Sequence, residues 1–174
     1  MPKEEDIIGC KIAAIDPFFL EETQATAELC VKYNKSYVTI DSKHDSYLHQ
    51  HCAVNVVSKE CTESDGYKDK SIEEIYELLV ASTDGLVIIT SGENDMIYGR
   101  KGQLMKRMKP FSVDVKSTLG AGDTFKAGCV YGLLHGMEDD ELVRFASACS
   151  AIAISRFPLP LNPPTLLEVN SLLE

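Results

Sequence analysis

Four short apolar runs are the strongest constraint on what this chain can fold into. They are Lys-Ile-Ala-Ala-Ile at 11–15, Tyr-Val-Thr-Ile-Asp at 37–41, Ala-Val-Asn-Val-Val at 53–57 and Leu-Val-Ile-Ile-Thr at 86–90. Each has strand length and is rich in β-branched or aliphatic residues. Asp16-Pro17 breaks the first. Between the first two, Leu20, Thr23, Ala27, Cys30 and Val31 recur at helical spacing across 19–33. Before the fourth, Ser71-Ile72-Glu73-Glu74 has the form of a capping box, which predicts a helix to about Ala81 with Ile72, Ile75, Tyr76 and Leu79 inward. Strands alternating with helices build a parallel sheet covered on both faces, and the most apolar run, 86–90, belongs at its centre. The predicted fold is α/β: a three-layer α/β/α sandwich with a largely parallel sheet. After the central strand, 96–98 and 103–109 are placed to pair as a hairpin around 99–102.

Size and composition limit what such a sheet can serve. The chain has 174 residues, 44% hydrophobic and 25% charged, which suits one domain over 1–174 with a sizeable core. There is no apolar run of ~18 residues, so no membrane partner is expected. The net charge of −10 speaks against nucleic acid as a partner, because phosphate backbones are met by basic faces. The start, Met-Pro-Lys-Glu-Glu-Asp, is acidic and lacks the basic and apolar regions of a signal peptide. None of the six cysteines forms a Cys-x-x-Cys pair, and most lie in apolar periodic segments. They are expected to be reduced core residues of a cytoplasmic protein.

The chemistry concentrates at Ser117-Thr118-Leu119-Gly120-Ala121-Gly122-Asp123-Thr124-Phe125. Gly120, Ala121 and Gly122 have little or no side chain, so backbone N–H groups there approach a ligand closely. Phe125, Cys129 and Leu133 follow at four-residue spacing, one face of a helix running to about Leu134. The first-turn N–H groups of a helix have no internal partner, and such an end attracts phosphate or a developing oxyanion. Asp123 sits in that turn, either as a plain cap or as acceptor of a proton from a hydroxyl held beside the anion site. Gly128 and Gly132 weaken the helix unless close packing requires them. His135-Gly136 ends it. A second helix follows to about Ser155, with Leu142, Phe145, Ala146, Cys149, Ile152 and Ala153 as its apolar face. Segment 42–51 carries His44, His49 and His51. His-x-His is a metal-ligand spacing, but no acidic or cysteine partner follows it at ligand spacing, so a solvated short helix or loop is expected.

The glycine stretch resembles the signature of the ribokinase-like (PfkB-type) carbohydrate kinases, roughly Asp-Thr-x-Gly-Ala-Gly-Asp-x-Phe. Thr118, Gly120, Ala121, Gly122, Asp123 and Phe125 match it, and Gly128 also fits. The resemblance implies that Asp123 is the catalytic base for a sugar hydroxyl and that the backbone of Gly120, Ala121 and Gly122 forms the anion hole for the transferred phosphoryl group. It implies a Thr-x-Gly-x nucleotide contact at Thr90, Gly92 and Glu93, and an adenine wall along the second helix with Ser147 at a base-contacting position. Tight helix packing alone also explains the small residues around Ser147. Where the family carries Asn-x-x-Glu near metal-bound phosphates, this chain offers Glu60 and Glu63, as Mg2+ ligands through water or as an ordinary charged loop. Ser117 stands where the family has Asp, and 156–160 lacks a Gly-Ala pair, so the resemblance does not extend to a monovalent-cation site.

The resemblance covers nearly the whole chain but only the C-terminal half of the family pattern, so N-terminal strands and a β lid are expected to be missing. The implied function is ATP-dependent transfer of phosphoryl to a sugar hydroxyl, with ATP and Mg2+ as cofactors. The alternatives are a nucleotide-binding but catalytically incomplete fragment, or a fold-only interaction module. A sheet missing its first strands exposes an unpaired edge, which predicts a homodimer through that edge.

Overall fold

The computed structural model describes the backbone of residues 1–174 and all side chains but that of Pro160. One six-stranded sheet runs in the order β1 (Ile12–Ile15), β2 (Ser36–Ile40), β3 (Val54–Val57), β4 (Leu86–Ser91), β5 (Asn94–Gly99), β6 (Lys106–Met108). The first four strands are parallel, and β5 and β6 return antiparallel. β4 lies between β3 and β5, and its first four residues are buried. Tyr98 pairs with Lys106 and Met96 with Met108, so the 96–108 segment closes as a hairpin. A second tight turn, Gly92-Glu93, joins β4 to β5, with Gly92 in the left-handed region at φ 62°.

Helices cover both faces. Successive strand residues point to opposite sides, so each strand feeds two cores. Val38, Ile40, Val54, Val56, Leu86 and Ile88 face α6 (Ala121–Leu134) and α7 (Asp139–Ile154). Val57, Val87, Ile89 and Ile97 face α5 (Ile72–Ala81), and Ile15 and Tyr37 pack with α2 (Leu20–Lys32) and α3 (Tyr47–His51). Three layers result. A short helix, α4 (Lys59–Thr62), follows β3; α1 (Glu4–Gly9) precedes β1; α8 (Leu166–Leu173) packs on α7. The capping box at Ser71 forms as expected: the Glu74 N–H donates to Ser71 Oγ at 3.2 Å, and the Ser71 N–H donates to Glu74 Oε2 at 2.7 Å.

α6 and α7 pack closely because glycine lets them. A Cβ on Gly128 would sit 2.7 Å from Ala146 Cα, and one on Gly132 would sit 2.8 Å from Leu142 Cγ. Arg100 fixes the far end of α7 by donating to both Asp139 carboxylate oxygens at 2.8 Å.

Two expectations are corrected. Leu20 and Val31 are exposed, because α2 lies at the sheet's edge and buries only the narrow stripe of Thr23, Ala27 and Cys30. The histidine segment does form a short helix, but His49 is fully buried, not solvated. Its Nδ1 accepts from Asn55 Nδ2 at 2.8 Å and its Nε2–H donates to the Leu79 carbonyl at 2.9 Å. The polar residue inside β3 therefore exists to hold a neutral imidazole between the strand and α5, and burial depresses the pKa of that ring.

Candidate active site

The C-terminal ends of β1 to β4 lie along one edge of the sheet, and the N-terminus of α6 sits over it. Two contacts fix that placement. A Cβ on Gly122 would come within 2.9 Å of Ile40 Cδ1 at the end of β2, and Lys126 is ion-paired to Asp16 just past β1. Open α/β sheets bind ligands at this edge.

The turn into α6 is built for close approach. Gly120 is the N-cap and takes φ 81°, a left-handed conformation that other residues adopt under strain. The loop before it is pinned to α7, since the Lys116 and Ser117 amides both donate to the Ile154 carbonyl at 2.8 and 3.2 Å. Ser150 Oγ donates to the Ala121 carbonyl at 3.1 Å, tying the first turn of α6 to α7. The Ala121 amide is used internally, donating to the Thr118 carbonyl at 3.1 Å. Among the described residues the Gly120, Gly122 and Asp123 amides have no acceptor, which leaves them as donors for an anion.

Asp123 stands in the first turn with its side chain 74% exposed, and its Oδ1 lies 3.5 Å from Lys126 Nζ. Asp123 also ends a largely apolar groove of about 470 Å³ between α6, α7 and α8, which Tyr131, Phe145 and Val169 help to line. Gly120 and Gly122 do not line that groove, so it and the glycine turn are separate surfaces that meet at Asp123.

Beside this turn, β2 is followed by Asp41, whose carboxylate accepts the Ser58 N–H at 2.6 Å and sets the start of α4. Glu60 and Glu63 are exposed there, and Glu63 is 3.7 Å from Lys59. Among the described residues no three His, Cys, Asp or Glu side chains converge as metal ligands. One or two carboxylates at such a place fit Mg2+ held mainly by phosphate oxygens and water. Near the end of β4 stands Thr90, whose hydroxyl donates to the Val57 carbonyl at 3.4 Å, and Gly92 and Glu93 form the exposed turn beyond the strand. Ser91 Oγ is buried at this strand end without a partner. Thr118 is exposed beside the glycine turn. Ser147 is buried in the middle of α7, 3% exposed.

The structure thus brings Gly120, Ala121, Gly122, Asp123, Thr90, Gly92, Glu93, Glu60 and Glu63 to one edge, with Ser147 behind it in the helix layer. Asp16, Asp41 and Lys126 belong to the same edge and were not singled out from sequence. The signal for the two acids was their position immediately after a strand; Lys126 carried none.

The comparisons with known proteins agree with this architecture. The fold is that of the ribokinases: a ribokinase from Thermotoga maritima superposes with a TM-score of 0.84 at 19% identity, over 99% of this chain and 60% of that one. A ribokinase from Arabidopsis thaliana complexed with ribose and ATP gives 0.84 at 17% identity, over 98% and 58%. The chain belongs to the pfkB family of carbohydrate kinases, whose family model matches residues 17–163. It is 33% identical over 103 residues to a 5-dehydro-2-deoxygluconokinase of Shouchella clausii, covering 59% of this chain and 31% of the relative. It is 30% identical over 105 residues to the enzyme of that name from Bacillus subtilis, covering 60% and 32%. The chain thus aligns with about a third of the length of these curated relatives.

Proposed function

We propose that this chain carries the ATP site and catalytic base of a kinase that phosphorylates a carbohydrate hydroxyl. The observation that supports this most is the turn into α6, where the free amides of Gly120, Gly122 and Asp123 and the exposed Asp123 carboxylate stand together over the strand ends. The acceptor oxygen bonds the γ-phosphorus, the bond from that phosphorus to the β,γ-bridging oxygen breaks, and the hydroxyl proton passes to Asp123. The Gly122 and Asp123 amides stabilise charge on the moving phosphoryl group, aided by the α6 dipole. Thr90, Gly92, Glu93 and Thr118 flank the phosphates and ribose, and the base lies toward the small-residue stretch of α7 that contains Ser147. Glu60 or Glu63, with water, would hold Mg2+, which when bound would supply charge neutralisation to the phosphates. The buried thiols Cys30, Cys52, Cys129 and Cys149 are free, which suits a cytoplasmic site of action.

The test is ADP release from ATP with 5-dehydro-2-deoxygluconate or ribose as acceptor. Acceptor-dependent release that Asp123→Asn abolishes supports the proposal. A second possibility is favoured by one observation, the alignment with only a third of the curated relatives' length. In that case the chain binds Mg-ATP without transferring it, and release stays independent of acceptor. We further propose that the free side of β1 pairs with a second copy of the chain.

A further inference from the structure

Lys126 is the one lysine in the chain that is almost wholly buried, among the described residues, at 7% exposure. It lies one helical turn beyond Asp123 on α6. A buried ammonium persists only when its charge is paired. Here the pairing comes from a distant part of the sequence: Nζ donates to Asp16, 110 residues earlier, where β1 ends. Asp16 is itself held, because its carbonyl accepts the Thr23 hydroxyl at 2.7 Å. The same Nζ lies 3.5 Å from Asp123 Oδ1. A carboxylate as exposed as that of Asp123 ordinarily samples several rotamers, and a flexible lysine three residues on would not stop it. Lys126 is not flexible, since helix packing and Asp16 fix its ammonium.

We propose that Lys126 is a positioning residue: anchored by Asp16, its ammonium holds the Asp123 carboxylate in one orientation at the glycine turn. Being buried, it acts through Asp123 and not by touching the substrate. The inference rests on the role proposed for Asp123, and its test does not depend on turnover.

The measurement is the set of three-bond couplings from the Asp123 carboxyl carbon to its backbone nitrogen and carbonyl carbon, in the 174-residue chain. The parent should show one dominant rotamer. Lys126→Met should show averaged couplings, Lys126→Arg should restore most of the preference, and Asp16→Asn should fall between. Where acceptor-dependent turnover is measured, Lys126→Met should lower kcat about tenfold, with the KM for acceptor and the Kd for Mg-ATP within about twofold, the pattern of an interaction lost mainly in the transition state. Should Lys126→Met fail to fold, Asp16→Asn and Lys126→Arg keep the cation and decide the matter. Averaged couplings in the parent, or parent-like couplings in a folded Lys126→Met or Asp16→Asn, would overturn the proposal. Absence of Mg-ATP binding would instead strike at the phosphotransfer proposal and leave the couplings to judge Lys126.

Discussion

Asp123 and His49 show how differently a titratable side chain is used by this fold. Asp123 is exposed at a helix start, where a carboxylate meets solvent and any bound hydroxyl. Replacing it with Asn keeps the shape and removes the proposed proton acceptor. Turnover should drop by ~10²–10⁴-fold, the usual worth of a positioned base. Affinity for Mg-ATP should stay within about twofold, and a calorimetric titration beside the kinetics checks both. His49 is buried, and desolvation together with nearby His44 lowers its pKa below the ordinary 6.5. The unfolded chain therefore takes up a proton there that the folded chain refuses. Stability from this group is complete above that pH and falls as the pH drops below it, so the urea midpoint should be lower at about pH 5.5 than at about pH 7.5. Equal midpoints would contradict the assignment of a neutral ring. Nothing in a run of polar residues announces a buried imidazole. The available hint was Asn55, a polar residue inside an otherwise apolar strand.

The helix pair α6 and α7 sets two effects of opposite sign against each other. Gly128→Ala should gain up to ~1 kcal/mol from helix propensity. The added Cβ would meet Ala146 Cα at 2.7 Å, and backbone cannot step aside cheaply. Overpacking of this kind costs ~1–3 kcal/mol, so the net result should be a less stable chain, read as a lower denaturant midpoint. α8 packs on α7 through Val169, Leu172 and Leu173, and an ion pair adds to its start. Arg156 donates to Glu168 at 2.7 Å and holds its pKa at about 2, below the usual 4.5. A lowered carboxylate contributes above its unfolded value and loses that contribution as the pH falls toward about 2. Glu168→Gln should therefore speed amide exchange in α8 at neutral pH while leaving β4 unchanged. Helices α5, α6 and α7 were legible in sequence, because a capping box, a glycine stop and a four-residue apolar spacing are local signals, whereas α1 and α4 were not read as helices. The exposure of Leu20 and Val31 was not, since it depends on how narrow a stripe the sheet edge offers α2.

Across the whole molecule, the alternation of apolar runs and helical periods was enough to read a largely parallel sheet with 86–90 inside it and a returning hairpin, while the strand order came from the structure. The glycine signature was enough to place the α6 turn and Asp123. Lys126 and Asp16 were illegible because their pairing spans 110 residues and appears only when α6 lies across β1. β1 leaves one side of the sheet unpaired, and an open edge tends to find a strand. The proposed dimer predicts twice the chain mass in light scattering at tens of micromolar, and a strictly monomeric mass would contradict it. In the proposed function the glycine turn holds the phosphates of ATP. Its most direct test is isothermal titration of Mg-ATP into the chain, with Gly122→Val alongside and thermal melting to confirm that the variant folds. Saturable binding to the parent that the valine removes is the predicted result. No binding to the parent, or equal binding to a folded Gly122→Val, would contradict it.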